Sequence, residues 1–249
     1  MSAAAGDEHG YRPMALGPRL RHAVRERGVR PVVGDFARFG SNLAFGAPWA
    51  LRGAHGSFEL DGERYPYLYA PYKRTWLTER CIEVPVVQRR VERQAGGRVL
   101  EVGNVLKHYA PDLGHTVVDK YERAPGVLNR DVLELDDLGP FDLVVTISTL
   151  EHVGWDEEPR DPGRAVEAAQ RLRALVAPGG RLVITHPIGY NPPLDAALRD
   201  GALPFEHAAA LRRVPGTNAW REVAPAEVWD APYDFLLYRA RGLLVATIA

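Results

Sequence analysis

Two hydrophobic patterns divide this chain near residue 97. From residue 98 onward, short β-branched runs alternate with longer segments that suit helices; the runs read RVLEV, HTVVD, FDLVVTIS and GRLVITH, and the clearest helical segment reads GRAVEAAQRLRALVA. This alternation predicts a parallel sheet with crossover helices. The runs VVTI and LVIT are apolar at consecutive positions, as central strands covered by helices on both faces must be. Residues 98–249 are therefore predicted to form an α/β domain.

The end of the chain follows a different pattern. The segments LRRVPGTNAWREV and RGLLVATIA both have the composition of strands, and the sequence between them is too short for a full crossover helix. A parallel connection needs such a crossover. We therefore predict that the final strand runs antiparallel to the rest of the sheet.

The first 97 residues are less regular. Residues 1–57 are rich in Gly, Pro and Arg and show no sustained period, although Leu20, Val24 and the arginines between them suggest a short surface helix. We interpret residues 1–97 as an arm and lid beside the α/β domain. The Gly96-Gly97 pair marks the predicted boundary.

Two local elements are predicted inside this arm. FELDGERYPYLY alternates apolar and polar residues around Asp61-Gly62, a dipeptide that readily supplies the positive φ angles of a two-residue hairpin turn. TWLTERCIEVPVVQRRVERQ is predicted to begin helically with Thr75 or Thr78 as its cap. Pro85 is expected to kink or split that helix.

Composition limits the classes of function. Hydrophobic residues make up 46% of the 249 positions and charged residues 25%, the proportions of a soluble globular protein. With 31 basic against 32 acidic residues, the net charge of -1 offers no global field for nucleic acid or an anionic membrane. The first ten residues lack a signal-peptide pattern, and no stretch reaches the ~20 apolar residues of a membrane span. We expect neither partner, and the oligomeric state stays open.

Cys81 is the only cysteine, which excludes an internal disulfide and a zinc site built on several thiolates. A single thiol fits a reducing cytoplasm, and we expect Cys81 to be buried as a small hydrophobic side chain. No spacing of carboxylates and histidines indicates a bound metal.

Candidate functional residues stand where the predicted strands end, because open α/β sheets bind ligands at the carboxyl ends of their strands. The first strand ends in EVGN (101–104), where Gly103 lets the backbone approach a ligand closely. The second ends in Asp119, from which a carboxylate can accept hydrogen bonds from both hydroxyls of a ribose. NRDV (129–132) puts another carboxylate where an adenine amino group can donate to it, and the fourth strand ends in STLEH (148–152).

In this order the residues resemble the class I S-adenosylmethionine-dependent methyltransferases over residues 98–249. The likeness is carried by LEVGN, by the acidic residues Asp119 and Asp131, by LEHV after the fourth strand, by APGGRLVIT leading through the fifth, and by the antiparallel last strand. It implies a Rossmann-like, mostly parallel seven-stranded sheet and S-adenosyl-L-methionine as the cofactor. The glycine motif departs from the family pattern, since NVLK (104–107) stands where the family commonly has two further glycines.

The resemblance implies a cofactor-binding role for a set of residues at these strand ends: Glu101, Gly103, Asn104, Asp119, Lys120, Asp131, Val132 and Ser148. Arg80 is added because an arginine before the first strand can hold the methionine carboxylate of the cofactor bidentately. Simpler roles stay open for several of them: Glu101 as a strand-end charge, Asp119 or Asp131 as a helix cap, Ser148 as a backbone cap, and Arg80 as a surface side chain.

His152 is the candidate catalytic residue. Methyl transfer to a hydroxyl or an amine needs the acceptor's lone pair free, and a histidine with a near-neutral pKa can remove the proton. A supporting role in the structure of the site is the alternative. His186 and Tyr190, past the fifth strand, are candidates for the acceptor pocket, whereas Asn191-Pro192-Pro193 is interpreted as a loop turn.

The sequence therefore predicts a cytoplasmic methyltransferase acting on a small molecule, with a sugar or natural-product hydroxyl as the first choice and a nitrogen acceptor as the second. The aromatic stretch YPYLYAPYKRTW suggests either a wall for a flat or sugar-like acceptor or the core of the lid itself. A dinucleotide-binding dehydrogenase is disfavoured, because GNVLKH lacks the G-x-G-x-x-G turn. The alternative is a non-catalytic binding or scaffold protein of the same fold that has lost its cofactor.

Overall fold

The computed structural model describes residues 16–51, 56–215 and 217–249. It contains five α-helices: α1 (Leu16–Arg27), α2 (Val29–Leu51), α3 (Arg80–Arg93), α4 (Arg164–Ala174) and α5 (Pro192–Arg199). Its strands are β1 (Ser57–Leu60), β2 (Glu63–Pro66), β3 (Val99–Val102), β4 (Thr116–Val118), β5 (Val127–Leu128), β6 (Phe141–Ile147), β7 (Val176–Pro187), β8 (His207–Arg213), β9 (Trp220–Val223) and β10 (Gly242–Ile248).

One large sheet organises the α/β part, in the order β5-β4-β3-β6-β7-β10-β8-β9. The strands from β3 to β7 pair in parallel, and β10 lies antiparallel between β7 and β8. The predicted mostly parallel sheet with an antiparallel final strand is confirmed. The reason is visible in the chain, because only a loop joins β9 to β10 where a parallel strand would require a crossover.

The number of strands that the resemblance implied was wrong, since the described residues form a sheet of eight strands instead of seven. The segment LRRVPGTNAWREV folds as a hairpin, and its second arm adds β9 at the edge of the sheet. The turn between them is closed by Val214 N–H donating to the Ala219 carbonyl at 2.9 Å. Pro215 explains the break, because proline has no N–H for the ladder and is tolerated only where a strand ends or bulges.

The connections between the parallel strands are also shorter than expected. Of the described α-helices, α4 alone lies between β3 and β7. The chain passes from β3 to β4 through two 3₁₀ turns, Leu106–His108 and Pro111–Leu113, instead of a crossover helix. Pro111 begins the second turn, and Gly114 ends it in the left-handed region at φ +67°. These two residues interrupt any longer helix there.

The hairpin and the helix predicted before residue 97 are both present. Asp61 and Gly62 have φ of 55° and 71°, as the predicted turn between β1 and β2 requires. Pro85 lies inside α3 without splitting it. The helix begins after Glu79, so neither Thr75 nor Thr78 is its cap. Cys81 is fully buried, as expected, and its thiol donates to the Thr78 carbonyl.

Two hydrophobic clusters cover the two faces of the sheet. On one face, α4 and α5 pack through side chains such as Ala168, Leu172 and Leu194. On the other face, α3 and the β1–β2 hairpin pack through side chains such as Ile82 and Phe58. The division of the chain at residue 97 stays a prediction, while α3 and the hairpin share their core with the sheet.

The N-terminal helices were not anticipated beyond the short helix near Leu20, which corresponds to α1. Residues 29–51 were predicted to be irregular, yet α2 has 23 residues. Its buried Asp35 forms ion pairs with Arg239 and Arg241, and these arginines also pair with the buried Asp234. α2 is thereby fixed to the loop that precedes β10. None of the described helices combines the length and the apolar character that a membrane crossing requires.

Candidate active site

A cavity of about 590 Å³ opens at the carboxyl edge of the sheet, above β3, β4 and β6. This volume falls within the range of about 300–1,000 Å³ usual for small-molecule sites, and the position is the one at which open α/β sheets bind ligands. Nine of the ten predicted site residues line it: Arg80, Gly103, Asn104, Asp119, Lys120, Asp131, Val132, Ser148 and His152. Glu101 is the exception.

Gly103 begins the loop above β3. It has φ +89°, and a Cβ atom built there would lie 2.2 Å from Thr149 Oγ1. Its N–H donates to the Val118 carbonyl at 2.8 Å, which ties the end of β3 to the end of β4. The conformation and the close contact both require glycine, so the one retained glycine of the motif is needed where β3 and β6 end side by side.

Glu101 lies beneath this loop, fully buried, instead of facing the cavity. Its Oε1 accepts hydrogen bonds from the N–H groups of Val105 and Leu106 at 2.9 and 2.7 Å. Its Oε2 lies 2.7 Å from His115 Nε2. The sequence argument that a buried carboxylate needs partners was correct, but the partners are the chain's own loop and a histidine. Glu101 shapes the loop, and its predicted contact with a cofactor has no geometric support.

Asp119 holds the same loop from the side of the cavity. Its Oδ2 accepts from Asn104 N–H at 3.1 Å, and its Oδ1 accepts from the N–H groups of Tyr121 and Glu122 at 2.8 and 2.7 Å. A carboxylate has about four acceptor positions, so Asp119 retains capacity for a further donor. The Asn104 amide donates to Glu122, whereas its own carbonyl oxygen Oδ1 is buried without a hydrogen-bond partner. An unpaired acceptor here suits a ligand that brings hydroxyl donors.

Asp131 combines the two roles that the sequence left open. Its Oδ1 caps the short 3₁₀ turn Val132–Glu134 by accepting from Leu133 N–H, and the side chain also lines the cavity. Its Oδ2 lies 3.0 Å from Lys120 Nζ and 3.1 Å from an Arg164 nitrogen. Burial acts to raise the pKa of Asp131, but the hydrogen bonds from Leu133 and Lys120 outweigh it, and the pKa is lowered.

Arg80 reaches the cavity from the start of α3 instead of lying on the surface. Its guanidinium donates to the Ile147 carbonyl at 2.8 Å and stands 3.6 Å from the buried Glu83. The Ser148 hydroxyl donates to Glu83, and Thr185 donates to the same oxygen at 2.7 Å. Burial raises the pKa of Glu83 to about 7, although Arg80 acts to lower it. This buried group holds Arg80 and Ser148 at the end of β6.

His152 ends a 3₁₀ turn after β6 and has polar groups near both of its ring nitrogens. Its Nδ1 lies 2.5 Å from Asp156 Oδ2, and its Nε2 lies 3.8 Å from Glu151 Oε1. Burial acts to lower the pKa of His152, but the hydrogen bond to Asp156 and the charge of Glu151 outweigh it, so the pKa is raised. The imidazole lines the cavity and is therefore within reach of a ligand.

Tyrosines that the sequence did not single out form much of the remaining wall: Tyr109, Tyr121, Tyr233 and Tyr238. Within the aromatic stretch YPYLYAPYKRTW, Tyr72 lines the cavity, whereas Tyr65 and Tyr67 are buried in the core beside the hairpin. The stretch thus serves chiefly as core, which was the simpler of its two interpretations. The other tyrosines come from loops without a local motif, and no sequence signal pointed to them.

Backbone strain is concentrated around the cavity. Among the described residues, the non-glycine positions with positive φ are Asp61, Lys73, Arg74, Ser148 and Tyr238. Lys73, Ser148 and Tyr238 line the cavity, and Arg74 adjoins Lys73. Side chains tolerate this region at a cost of about 1–3 kcal/mol each, and such residues are concentrated in ligand sites.

The candidates at the end of β7 and just beyond it have mixed outcomes. His186 is buried and bonded to Asp195 at 2.6 Å, so it is a packed histidine that does not line the cavity. Tyr190 is buried behind His152, and its hydroxyl donates a hydrogen bond to Asp156 Oδ2 at 2.6 Å. Asn191 caps α5 by accepting from Leu194 N–H, and Pro192 and Pro193 are the first residues of that helix. The interpretation of Asn191-Pro192-Pro193 as a loop turn was therefore wrong, because proline is well tolerated in the first turn of a helix. In the described ranges, no group of three or more His, Cys, Asp or Glu side chains is placed to hold a metal.

The strand order and the cavity define the fold. The chain has the Rossmann-like fold that the resemblance implied. No protein-family model and no curated protein matches the sequence. Among solved structures, the chain is similar to an S-adenosylmethionine-dependent methyltransferase of Thermotoga maritima described as a possible histamine N-methyltransferase, at 18% identity and TM-score 0.40 over 72% of this chain and 95% of that chain.

Two further solved structures show the same level of similarity. One is the N-methyltransferase NodS of Bradyrhizobium japonicum with S-adenosyl-L-homocysteine, at 16% identity and TM-score 0.38 over 68% of this chain and 89% of that one. The other is the sugar N-methyltransferase KedS8 of a Streptoalloteichus species, at 17% identity and TM-score 0.33 over 78% of this chain and 97% of that one. At such identities and TM-scores, function must be inferred from the site itself.

Proposed function

We propose that this protein is an S-adenosylmethionine-dependent methyltransferase that methylates a hydroxyl group of a small molecule, such as a sugar or a natural product. The observation that carries the proposal is the pair Asp119 and Asp131. These carboxylates follow the neighbouring strands β4 and β5 and line one cavity with the Gly103 loop. The same cavity contains a histidine that can accept a proton.

The cofactor half of the cavity comprises Arg80, Gly103, Asn104, Asp119 and Asp131. Asp119 and the unpaired carbonyl oxygen of Asn104 accept hydrogen bonds from ribose hydroxyls. Asp131 accepts from the adenine amino group, and Arg80 pairs with the methionine carboxylate. When bound, the cofactor supplies a methyl group already activated by its sulfonium, so the protein needs no covalent catalysis.

The acceptor half of the cavity is lined by His152, Asp156, Tyr233 and Tyr238, and the buried Tyr190 supports it from behind His152. Tyr233 and Tyr238 offer apolar ring faces with polar hydroxyl tips, which suit a sugar or a flat hydroxylated ring. His152 removes the hydroxyl proton as methyl transfer proceeds. Because the raised pKa of His152 favours its protonated form, the rate is expected to increase as pH rises through that pKa. A nitrogen acceptor is the second candidate, since the same base would deprotonate an ammonium group.

Isothermal titration with S-adenosylmethionine and S-adenosylhomocysteine tests the cofactor half. Wild-type protein is expected to bind either ligand with micromolar affinity, and Asp119→Ala is expected to abolish binding. Asp112→Ala is the matched control, because Asp112 is exposed on the neighbouring 3₁₀ turn and does not line the cavity. Absence of binding at millimolar ligand, in protein whose far-UV spectrum shows that it is folded, would favour the scaffold alternative.

The acceptor class is tested separately. The protein is incubated with S-adenosylmethionine and a panel of matched hydroxyl and amine compounds, and mass spectrometry detects added methyl groups. Methylation at oxygen is the expected result. Methylation at nitrogen alone would overturn the hydroxyl proposal while leaving the methyltransferase proposal intact.

A further inference from the structure

Asp156 lies on the loop that follows His152 and approaches it from one side. The N–H groups of Trp155 and Asp156 both donate to the His152 carbonyl at 3.1 Å, so the chain turns tightly after the histidine. This turn brings Asp156 Oδ2 to 2.5 Å from His152 Nδ1. The contact is a short hydrogen bond between a carboxylate and an imidazole.

Tyr190 holds Asp156 from a second element. Its hydroxyl donates to the same Oδ2 at 2.6 Å, and its ring meets the His152 ring edge-on at a centroid distance of 4.7 Å. Tyr190 is itself buried and packs edge-on against Tyr233 at 4.9 Å. Asp156 is therefore fixed by the segment after β7 as well as by its own loop.

We infer that Asp156, held by Tyr190, is a positioning residue that fixes His152 with its proton on Nδ1 and the lone pair of Nε2 available to the acceptor. The inference rests on the proposed function, in which His152 is the base. A neutral imidazole carries its proton on the nitrogen that has a hydrogen-bond acceptor. Asp156 is acceptor-only when ionised, so Nδ1 must be the donor and Nε2 is left unprotonated.

Glu151 is the competing partner for the imidazole. Its Oε1 lies 3.8 Å from His152 Nε2, and its buried Oε2 has no hydrogen-bond partner. If Glu151 set the tautomer, the proton would reside on Nε2, and this nitrogen could not accept the proton of the acceptor hydroxyl. The shorter distance and the second anchor on Asp156 favour Nδ1. From α3, Arg80 also faces this group and opposes protonation of the ring.

In the proposed step, the acceptor oxygen forms its bond to the methyl carbon, the carbon–sulfur bond breaks, and the sulfur keeps the bonding electron pair. The hydroxyl proton goes to Nε2 of His152. The resulting imidazolium is stabilised by Asp156, while the orientation that Asp156 imposes keeps Nε2 directed at the acceptor.

Nitrogen NMR of protein with ¹⁵N-labelled histidine tests the positioning without any acceptor, and the His152 signal is assigned by its loss in His152→Gln. At a pH above the pKa of His152, wild type is expected to show a neutral ring with the proton on Nδ1. Asp156→Asn should lower the pKa of His152, because the negative charge beside Nδ1 is lost, and should increase the Nε2-protonated form. Glu151→Gln should lower that pKa without changing the tautomer. A wild-type Nε2-protonated ring, or an unchanged tautomer in Asp156→Asn, overturns the inference.

Kinetics with an acceptor identified from the panel separate positioning from a merely structural role. Asp156→Asn is expected to lower kcat by about 100-fold and to move the rising limb of the pH profile to lower pH. Tyr190→Phe should lower kcat less, because the carboxylate remains. The matched control is Glu158→Gln, an exposed carboxylate on the same loop, which should leave the profile unchanged. An unchanged pH profile in Asp156→Asn overturns the inference.

Cofactor titration distinguishes failure of the positioning inference from failure of the proposed function. Asp156→Asn should bind S-adenosylhomocysteine as tightly as wild type, because Asp156 belongs to the acceptor half. If wild type binds no cofactor, the proposed function fails, whereas the tautomer of His152 is still read by NMR. If binding is intact and the tautomer is the wrong one, only the positioning inference fails.

Discussion

In the cofactor half of the cavity, Asp119 is held by backbone N–H groups, whereas in the acceptor half Asp156 is held by other side chains. Asp119 accepts from three N–H groups of the adjoining loops. Asp156 instead accepts from an imidazole and a phenol contributed by different segments. Local chain conformation thus builds the first half, and tertiary packing builds the second. Their responses to substitution should differ accordingly.

The largest effect is expected where the cofactor half depends on backbone conformation. Gly103→Ala should lower the free energy of unfolding by about 2–4 kcal/mol, because φ is +89° and the new Cβ would contact Thr149. Gly114→Ala is the matched control, since Gly114 also has positive φ but has no atom within 4 Å of its would-be Cβ. Urea denaturation measures both. Equal losses in the two variants would contradict a role for the Thr149 contact.

The buried Glu83 lies between the halves and should make stability depend on pH. Burial raises the pKa of Glu83 to about 7, above its unfolded value of about 4.3, so the folded state prefers the protonated form. That stabilisation is present below about pH 4 and is lost as pH rises to about 7. Wild-type stability should fall across this range by up to about 1.4 kcal/mol per pH unit more than in Glu83→Gln.

Urea denaturation at pH 5 and pH 8 measures this difference. Glu92→Gln serves as the control, because Glu92 is exposed on the same helix. A parallel pH dependence in wild type and Glu83→Gln would show that Glu83 is ionised throughout and that its surroundings fully compensate its charge.

The two halves should also separate in cofactor titrations. Asp131→Ala should weaken S-adenosylhomocysteine binding by about tenfold, the loss expected for one hydrogen bond to a charged group. Because the pKa of Asp131 is lowered, its carboxylate stays ionised from pH 5 to 9, and the ratio to wild type should stay constant there. A ratio that changes within this range would mean that another group governs the effect.

The smallest effect is expected at the cap of α5. Asn191→Ala should lower the free energy of unfolding by about 1 kcal/mol, since it removes the acceptor for Leu194 N–H. Asn191→Asp retains that acceptor, but at this fully buried position it replaces the amide that donates to the Glu151 carbonyl at 3.0 Å with a charged oxygen. Thermal unfolding should therefore rank wild type first, Asn191→Ala second and Asn191→Asp last. A reversed order of the two variants would show that the cap outweighs the buried charge.

The cofactor half was largely predictable from sequence because its residues follow strands directly. Asp119 and Asp131 needed only the position of a strand end to be located. Glu101 shows the limit of this reasoning, since the same rule cannot tell a side chain that faces the cavity from one that lies beneath the loop. Asp156, Tyr233 and Tyr238 lie on loops with no periodic signal, and tertiary contacts alone bring them together.

The sheet order followed from the alternation of strands and helices, but two parts of the fold did not. The strand β9 was hidden because Pro215 interrupts a segment that read as one strand. The helix α2 contains three glycines and two prolines. Because these residues have low helix propensity, the sequence pattern did not predict a helix there. Its burial of Asp35 against two arginines is a tertiary contact that the sequence pattern does not reveal.

The ion pairs around Asp35 also bear on how ligands enter and leave the cavity. Arg239 and Arg241 each contact both Asp35 and Asp234, and they stand beside Tyr238 in the cavity wall. Swinging this wall outward would separate buried charges, which is costly. Elsewhere in the cavity wall, Tyr72 is exposed and contacts His108 through ring stacking and one hydrogen bond. Displacing the wall at Tyr72 would therefore cost less than displacing it beside the buried ion pairs.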